Sequence, residues 1–74
     1  MLINLKDLGL RCKRFRVSHG YFQSHVADET GYTTENISAF ENGRNDNSRI
    51  LLWYIAHGMT IEEIKGGRNY GANL

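Results

Sequence analysis

The 74-residue sequence contains no proline, a single cysteine and no long hydrophobic run. One cysteine, Cys12, excludes a disulfide within the chain, and a small domain without disulfides is more typical of a reducing compartment than of secretion. The longest apolar run, Ile50 to Ala56, is far shorter than the roughly 20 residues that span a bilayer. We therefore expect a cytoplasmic protein without a membrane segment.

A strong charge of either sign is also lacking, because the net charge is only +1. Electrostatic affinity for nucleic acid grows with the number of phosphates that lysine and arginine neutralise, so the composition gives weak support for such binding. The cations are concentrated in the first 20 residues, which contain only one acid, Asp7. The five cations there are Lys6, Arg11, Lys13, Arg14 and Arg16. We interpret the run from Arg11 to Arg16 as a solvated helix face that adds to phosphate attraction.

Hydrophobic residues make up 41% of the chain and charged residues 23%, which is ordinary for a globular domain. The length allows one small domain and no separate catalytic module. A domain of this size buries only roughly 60% of the surface that its unfolded chain exposes, so association with a partner surface is a common source of extra stability. The sequence therefore predicts one folded domain that is a candidate for dimerisation.

Apolar residues recur at helical spacing, and glycine separates the segments in the absence of proline. Leu5, Leu8, Cys12 and Phe15 share one helical face, and no sustained alternation favours strands. We predict an all-α domain over residues 1–65 with four to five helices, followed by a flexible tail over residues 66–74. The predicted helices lie near residues 5–17, 22–30, 34–42, 48–57 and 61–65.

Side chains that cap helices support several of these boundaries. Thr33 precedes the third segment and Ser48 the fourth, and each side-chain oxygen can accept a bond from an unpaired N–H at a helix start. Thr60 and Glu63 have the spacing of a capping box. We predict helix starts at these three positions.

Residues 22–44 have the pattern of two short helices joined by a tight turn. Ala27 lies four residues before Gly31, where a small side chain lets two helices cross closely, and Gly31 can adopt positive φ without a steric penalty. Ile37 and Phe40 mark the inner face of the second helix. At 100° per residue the outer face then carries short polar or small side chains: Glu35, Ser38, Ala39 and Asn42. This pattern predicts a helix-turn-helix over residues 22–42, in which the second helix reads the major groove.

The same stretch resembles the helix-turn-helix domains of Cro proteins and phage repressors. The segment Ile37-Ser38-Ala39-Phe40-Glu41-Asn42-Gly43-Arg44 is similar to the end of their recognition helix, and a weaker similarity extends from about Arg11 to Ile64. The resemblance implies a compact domain of the lambda-repressor type that binds duplex DNA as a homodimer and regulates transcription, typically as a repressor.

The resemblance also implies roles for individual residues. Phosphate contacts would come from Gln23, Asn42 and Arg44, and base contacts from Thr34, Glu35, Ser38 and Ala39. Thr33 and Asn36 complete the expected DNA-binding set. A structural ion pair would join Arg16 to Glu41 and hold the first helix against the recognition helix. The resembled domains often form their symmetric dimer contact near the C-terminal end, where this sequence has an excess of apolar residues: Trp53, Tyr54, Met59, Ile61 and Ile64. We expect a contact centred on Ile61 and Ile64, with Trp53 or Tyr54 at its margin.

Several features depart from the resembled pattern, among them Thr30 in place of an apolar residue and a short connection over residues 57–60. Phe22 stands where those domains usually have a capping serine, threonine or asparagine. Glu35 is the only charged residue on the outer face of the recognition helix, where cytosine N4 is its natural base partner and phosphate repulsion is its cost. Glu35 and the low net charge keep a second function open, in which the helix-turn-helix binds a protein partner as a co-regulator or antirepressor.

Catalytic and metal chemistry have little support. Three histidines could join Cys12 around a metal ion, namely His19, His25 and His57. No two of these four residues have the spacing of a compact zinc site. Cys12 is interpreted as a small core residue rather than a nucleophile. No triad, phosphate loop or carboxylate pair is recognisable. We therefore expect no enzyme activity, no metal and no cofactor.

Overall fold

The computed structural model describes residues 4–60, which form four helices and no strand. Within this range the predicted all-α fold is confirmed. The helices are α1 Leu5–Ser18, α2 Gln23–Thr30, α3 Thr34–Glu41 and α4 Ser48–Ala56. The predicted helix at residues 61–65 and the predicted tail at residues 66–74 lie outside the described residues.

Local capping explains where three of these helices begin. Asn4 accepts the backbone N–H groups of Lys6 and Asp7 at the start of α1. Thr33 caps α3 as predicted, in a reciprocal capping box with Asn36. The prediction of Ser48 as the cap of α4 is wrong, because the Asn47 side chain accepts the backbone N–H groups of Arg49 and Ile50, and Ser48 is already helical. The predicted box of Thr60 with Glu63 extends beyond the described residues.

The start of α2 has no side-chain cap, since Phe22 occupies that position and makes no capping hydrogen bond. The end of α2 is more strongly defined. Gly31 has φ of 80°, and its N–H donates to the carbonyl oxygen of Ala27 over 2.9 Å. This left-handed residue ends α2 and redirects the chain into α3, as predicted for the turn.

Gly9 sets the separation of α1 and α3. A Cβ atom at this position would lie 2.5 Å from the carbonyl oxygen of Phe40, too close for any side chain. The absence of a side chain therefore lets α1 approach the C-terminal end of α3 closely enough for Arg16 to reach Glu41.

Every helix contributes to one hydrophobic core. Tyr54, Ile37 and Val26 are wholly buried, as is Cys12, which has the predicted core position. The core consists of Leu8, Cys12, Phe15, Val26, Ala27, Ile37, Phe40, Ile50, Trp53, Tyr54 and Met59.

Three residues expected at a dimer surface belong to this core instead. Trp53, Tyr54 and Met59 are 6%, 0% and 4% exposed in the single chain. Trp53 and Tyr54 are buried because α4 packs against both α1 and α2, so that two sides of the helix are covered. Met59 follows α4, and its backbone N–H donates to the carbonyl oxygen of Tyr54 over 3.0 Å. The other two residues of the expected contact, Ile61 and Ile64, lie outside the described residues.

Candidate nucleic-acid interface

The helix-turn-helix consists of α2, the turn at residues 31–33 and α3. Val26 and Ala27 of α2 pack in the core with Ile37 and Phe40 of α3. Because these apolar residues face inward, the opposite side of α3 is left for polar and small side chains. Thr34, Glu35, Asn36 and Asn42 are exposed, while Ser38 and Ala39 are half-buried.

Several predicted DNA-binding side chains already have partners within the protein. The Asn36 side-chain oxygen accepts hydrogen bonds from the Thr33 backbone N–H and hydroxyl, at 3.1 and 3.0 Å. The Asn42 amide donates to the carbonyl oxygen and hydroxyl of Ser38, at 2.9 and 3.3 Å. Thr33 and Asn36 therefore stabilise the start of α3. Thr34 and Glu35 are exposed, and the Thr34 hydroxyl donates to the Glu35 carboxylate over 3.5 Å.

The charge on this surface is negative along α3 and positive just beyond it. α3 contains Glu35 and Glu41 but no lysine or arginine. Glu35 is exposed, and Arg44 is the exposed cation that follows the helix. The Arg44 backbone N–H donates to the carbonyl oxygen of Ala39 over 2.8 Å, which anchors Arg44 to the end of α3.

Gln23, a predicted phosphate contact, begins α2 and is half-buried. Its amide nitrogen donates to the Glu41 carboxylate over 3.2 Å. An amide carries two N–H donors, so one of them is still available for a phosphate. Phe22, next to Gln23, is 75% exposed.

The predicted ion pair of Arg16 with Glu41 is present and buried. Arg16 Nε donates to Glu41 Oε2 over 2.8 Å, and Nη2 donates to Oε1 over 3.0 Å. This is the bidentate geometry that favours guanidinium–carboxylate recognition. The hydrogen bonds that Arg16 donates to Glu41 raise the pKa of Arg16 above its ordinary value, while burial acts in the opposite direction. The pair locks α1 to the end of α3.

Tyr54 is a third member of this site, and the sequence did not reveal it. Its hydroxyl donates to Glu41 Oε2. Burial, followed by the hydrogen bond and negative charge of Glu41, raises the pKa of Tyr54 far above its ordinary value. The only available signal was general, because a buried tyrosine hydroxyl needs a partner.

A second cluster links α2 to α4, and it too was missed. Trp53 Nε1 donates to Glu29 Oε1 over 2.8 Å. The Nε2 atoms of His25 and His57 lie 3.4 and 3.6 Å from the two oxygens of Glu29. The hydrogen bond from Trp53, with smaller contributions from the histidines, lowers the pKa of Glu29. Two of the histidines weighed as metal ligands are thus neighbours of one carboxylate.

Other chemistries find few groups in residues 4–60. Within that range, no three histidine, cysteine, aspartate or glutamate side chains are arranged to hold a metal ion. The helices α1 to α4 are all too short or too polar to cross a membrane.

Comparison with known proteins gave no match to a family model, a curated protein or a solved structure. A proposal about function therefore depends on the chain's own residues and their geometry.

Proposed function

We propose that the chain is a sequence-specific DNA-binding regulator of transcription that inserts α3 into the major groove of duplex DNA. The observation that carries the proposal is the α2–turn–α3 unit, with its apolar residues buried and the outer side of α3 left polar and uncovered by the other helices. An α-helix fits the major groove, where every base pair has a distinct pattern of donors and acceptors.

The exposed residues of α3 suit direct reading of bases. Thr34 and Ser38 have hydroxyl groups that can donate or accept, and the Ala39 methyl group suits a thymine methyl. The Glu35 carboxylate is an acceptor for cytosine N4. The backbone that carries these side chains is held at both ends, because Thr33 caps the start of α3 and Asn42 is bonded to Ser38 at its end. A rigid reading surface loses little freedom on binding.

Backbone contacts would orient the domain on the duplex. Gln23 begins α2 with one amide proton available, and Arg44 carries its charge just beyond α3. Asn42 is the third proposed phosphate contact, and its exposed amide would exchange its bonds to Ser38 for a phosphate oxygen. Contacts of this kind set register without carrying sequence information.

Two copies would place two recognition helices about 34–36 Å apart on one face of the duplex. Since Trp53, Tyr54 and Met59 are buried, a homodimer contact needs other apolar residues. Leu52 and Ile55 on α4 are 60% and 39% exposed, and they join Ile61 and Ile64 as candidates. On the resemblance to Cro and phage-repressor domains, we also propose that the regulator is a cytoplasmic repressor.

Two observations favour a second candidate function, the protein-binding co-regulator. α3 has no cation to offset Glu35, and Phe22 next to the proposed phosphate contact is 75% exposed. Apolar exposure of this kind suits a protein partner better than a phosphate.

Fluorescence anisotropy with random-sequence duplex DNA at two salt concentrations distinguishes the two functions. DNA binding predicts an affinity that falls with salt, with a log–log slope on the order of −2 to −5 for a dimer. Arg44→Ala should reduce that slope by about 0.9 for each copy, because one phosphate contact is lost. Arg49→Ala is the matched control, since Arg49 is an exposed arginine on α4. No binding at about 50 mM salt, to random duplex or to selected sequences, would favour the protein partner.

A further inference from the structure

A groove of about 250 Å³ runs along α1, away from the proposed DNA-binding residues. Its walls are Arg11, Arg14, Phe15 and Ser18. These positions recur at helical spacing, so among residues 4–60 the lining comes from α1 alone. Phe15 is only 4% exposed and gives the groove an apolar part beside two cations.

The two arginines of this groove lack the partners that Arg16 has. The ion pairs in residues 4–60 involve Arg16, His25 and His57, and neither Arg11 nor Arg14 takes part in one. Asp7 lies one helical turn before Arg11 but makes no ion pair with it. The groove therefore holds two positive charges that no described carboxylate neutralises.

Arg11 has a further unmet requirement. Its Nε is buried, and no protein atom accepts its N–H. A buried donor without a partner costs stability, so natural proteins rarely retain one without a reason. The Ser18 hydroxyl does not compete for a ligand, because it donates to the Phe15 carbonyl oxygen over 3.0 Å. Arg11 Nε is itself too buried to be reached, so the donors that a ligand would meet are the terminal N–H groups of the two arginines.

We propose that this groove binds the phosphate group of a small molecule. Two guanidinium groups match the charge of a phosphate dianion, and their planar forks suit bidentate contacts to its oxygens. A carboxylate carries a single negative charge and would balance only one of the two guanidinium charges. The volume is just below the roughly 300 Å³ at which pockets for drug-sized ligands begin, so a phosphate with a small attached group fits best.

This site does not rest on the proposed DNA-binding function. Gly9 marks the side of α1 that contacts α3. Arg11 is two residues further along, and at 100° per residue it lies about 200° around the helix. The groove therefore faces away from α3, and a duplex seated on α3 would leave it accessible.

The test is a titration of the full chain with inorganic phosphate at constant ionic strength, followed by NMR of the arginine Nε–H groups. Each arginine gives its own signal, so Arg11 and Arg14 are observed directly. We expect both signals to shift along one saturating curve, while Arg49, exposed on α4, barely shifts. Phosphate should also raise Tm. Shifts that are linear and equal for all arginines would overturn the proposal, because they would indicate an ionic-strength effect only.

Variants and a second anion complete the test. Arg14→Gln should weaken phosphate binding roughly tenfold or more, since a charge-assisted contact is lost, and should abolish the Tm increase. Arg49→Gln should change neither. Acetate should give no saturating shift at the same concentrations. Equal saturation by acetate, or an Arg14→Gln curve identical to that of the wild type, would contradict the assignment of a phosphate site.

Discussion

Two carboxylates in this domain each accept a hydrogen bond from an aromatic residue of α4, yet their surroundings differ. Glu41 accepts hydrogen bonds from the Tyr54 hydroxyl and the Arg16 guanidinium, and the Glu41 side chain is 1% exposed. Glu29 accepts a hydrogen bond from the Trp53 N–H and lies beside two histidines, and the Glu29 side chain is 48% exposed. Both sites hold α4 against the helix-turn-helix. The interactions of Glu41 should therefore stabilise the fold more than those of Glu29, because charge interactions are much stronger where water is excluded.

The largest effect is expected from breaking the buried pair. Arg16→Met or Glu41→Leu alone should lower the free energy of unfolding by about 3–5 kcal/mol, because either change strands a buried charge. The double variant should lose less than the sum of the two. Urea denaturation measures all three.

Arg49→Met is the control for this cycle, since Arg49 is exposed and makes no ion pair in the described chain. It should change the unfolding free energy by less than about 0.5 kcal/mol. Additive, near-neutral effects of the Arg16 and Glu41 changes would show that the pair carries no structural role.

A smaller effect is expected from Tyr54→Phe, which removes only the hydroxyl group. The loss should be about 1.5–3 kcal/mol, the usual range for a hydrogen bond to a charged partner. The ring itself remains in the core, where it stacks on Phe40 at a centroid distance of 5.9 Å. Thermal and urea unfolding of the variant beside the wild type measure the difference, and an unchanged midpoint would mean that Glu41 does not need Tyr54.

The smallest effect is expected at the exposed carboxylate, and it should depend on pH. Glu29→Gln keeps an oxygen that can accept from Trp53 but removes the charge. Because the folded protein lowers the pKa of Glu29 below its ordinary value of 4.5, its charge adds stability at higher pH. That stability is lost as pH falls through the lowered pKa. The Tm difference between the wild type and Glu29→Gln should therefore shrink from about pH 5 downward, and a constant difference would contradict this account.

The sequence predicted the helices well because each is defined locally. Predicted helix ends at residues 17, 30, 42 and 57 compare with observed ends at residues 18, 30, 41 and 56. Asn47 and Ser48 are adjacent residues that both cap helices well, so the sequence alone does not show which of them precedes α4. Gly31 has no such neighbour.

Tertiary contacts were harder to predict. Trp53 and Tyr54 are neighbours 100° apart on α4, and both are buried because α1 and α2 cover different sides of that helix. A single-face pattern assigns only one of them to the core. The bonds from Tyr54 to Glu41 and from Trp53 to Glu29 join residues 13 and 24 positions apart, and no local pattern marks them. Arg16 and Glu41 were paired only through the resemblance.

The most direct test of the central claim is selection of preferred sites from a random duplex pool by the wild type and by Glu35→Gln. If α3 reads bases, the wild type should enrich one sequence that includes a cytosine contacted by Glu35. Glu35→Gln should change that position toward adenine, because glutamine pairs with adenine N6 and N7, and leave the other positions unchanged. An enriched sequence identical for both proteins, or none for the wild type, would contradict the claim that α3 reads DNA.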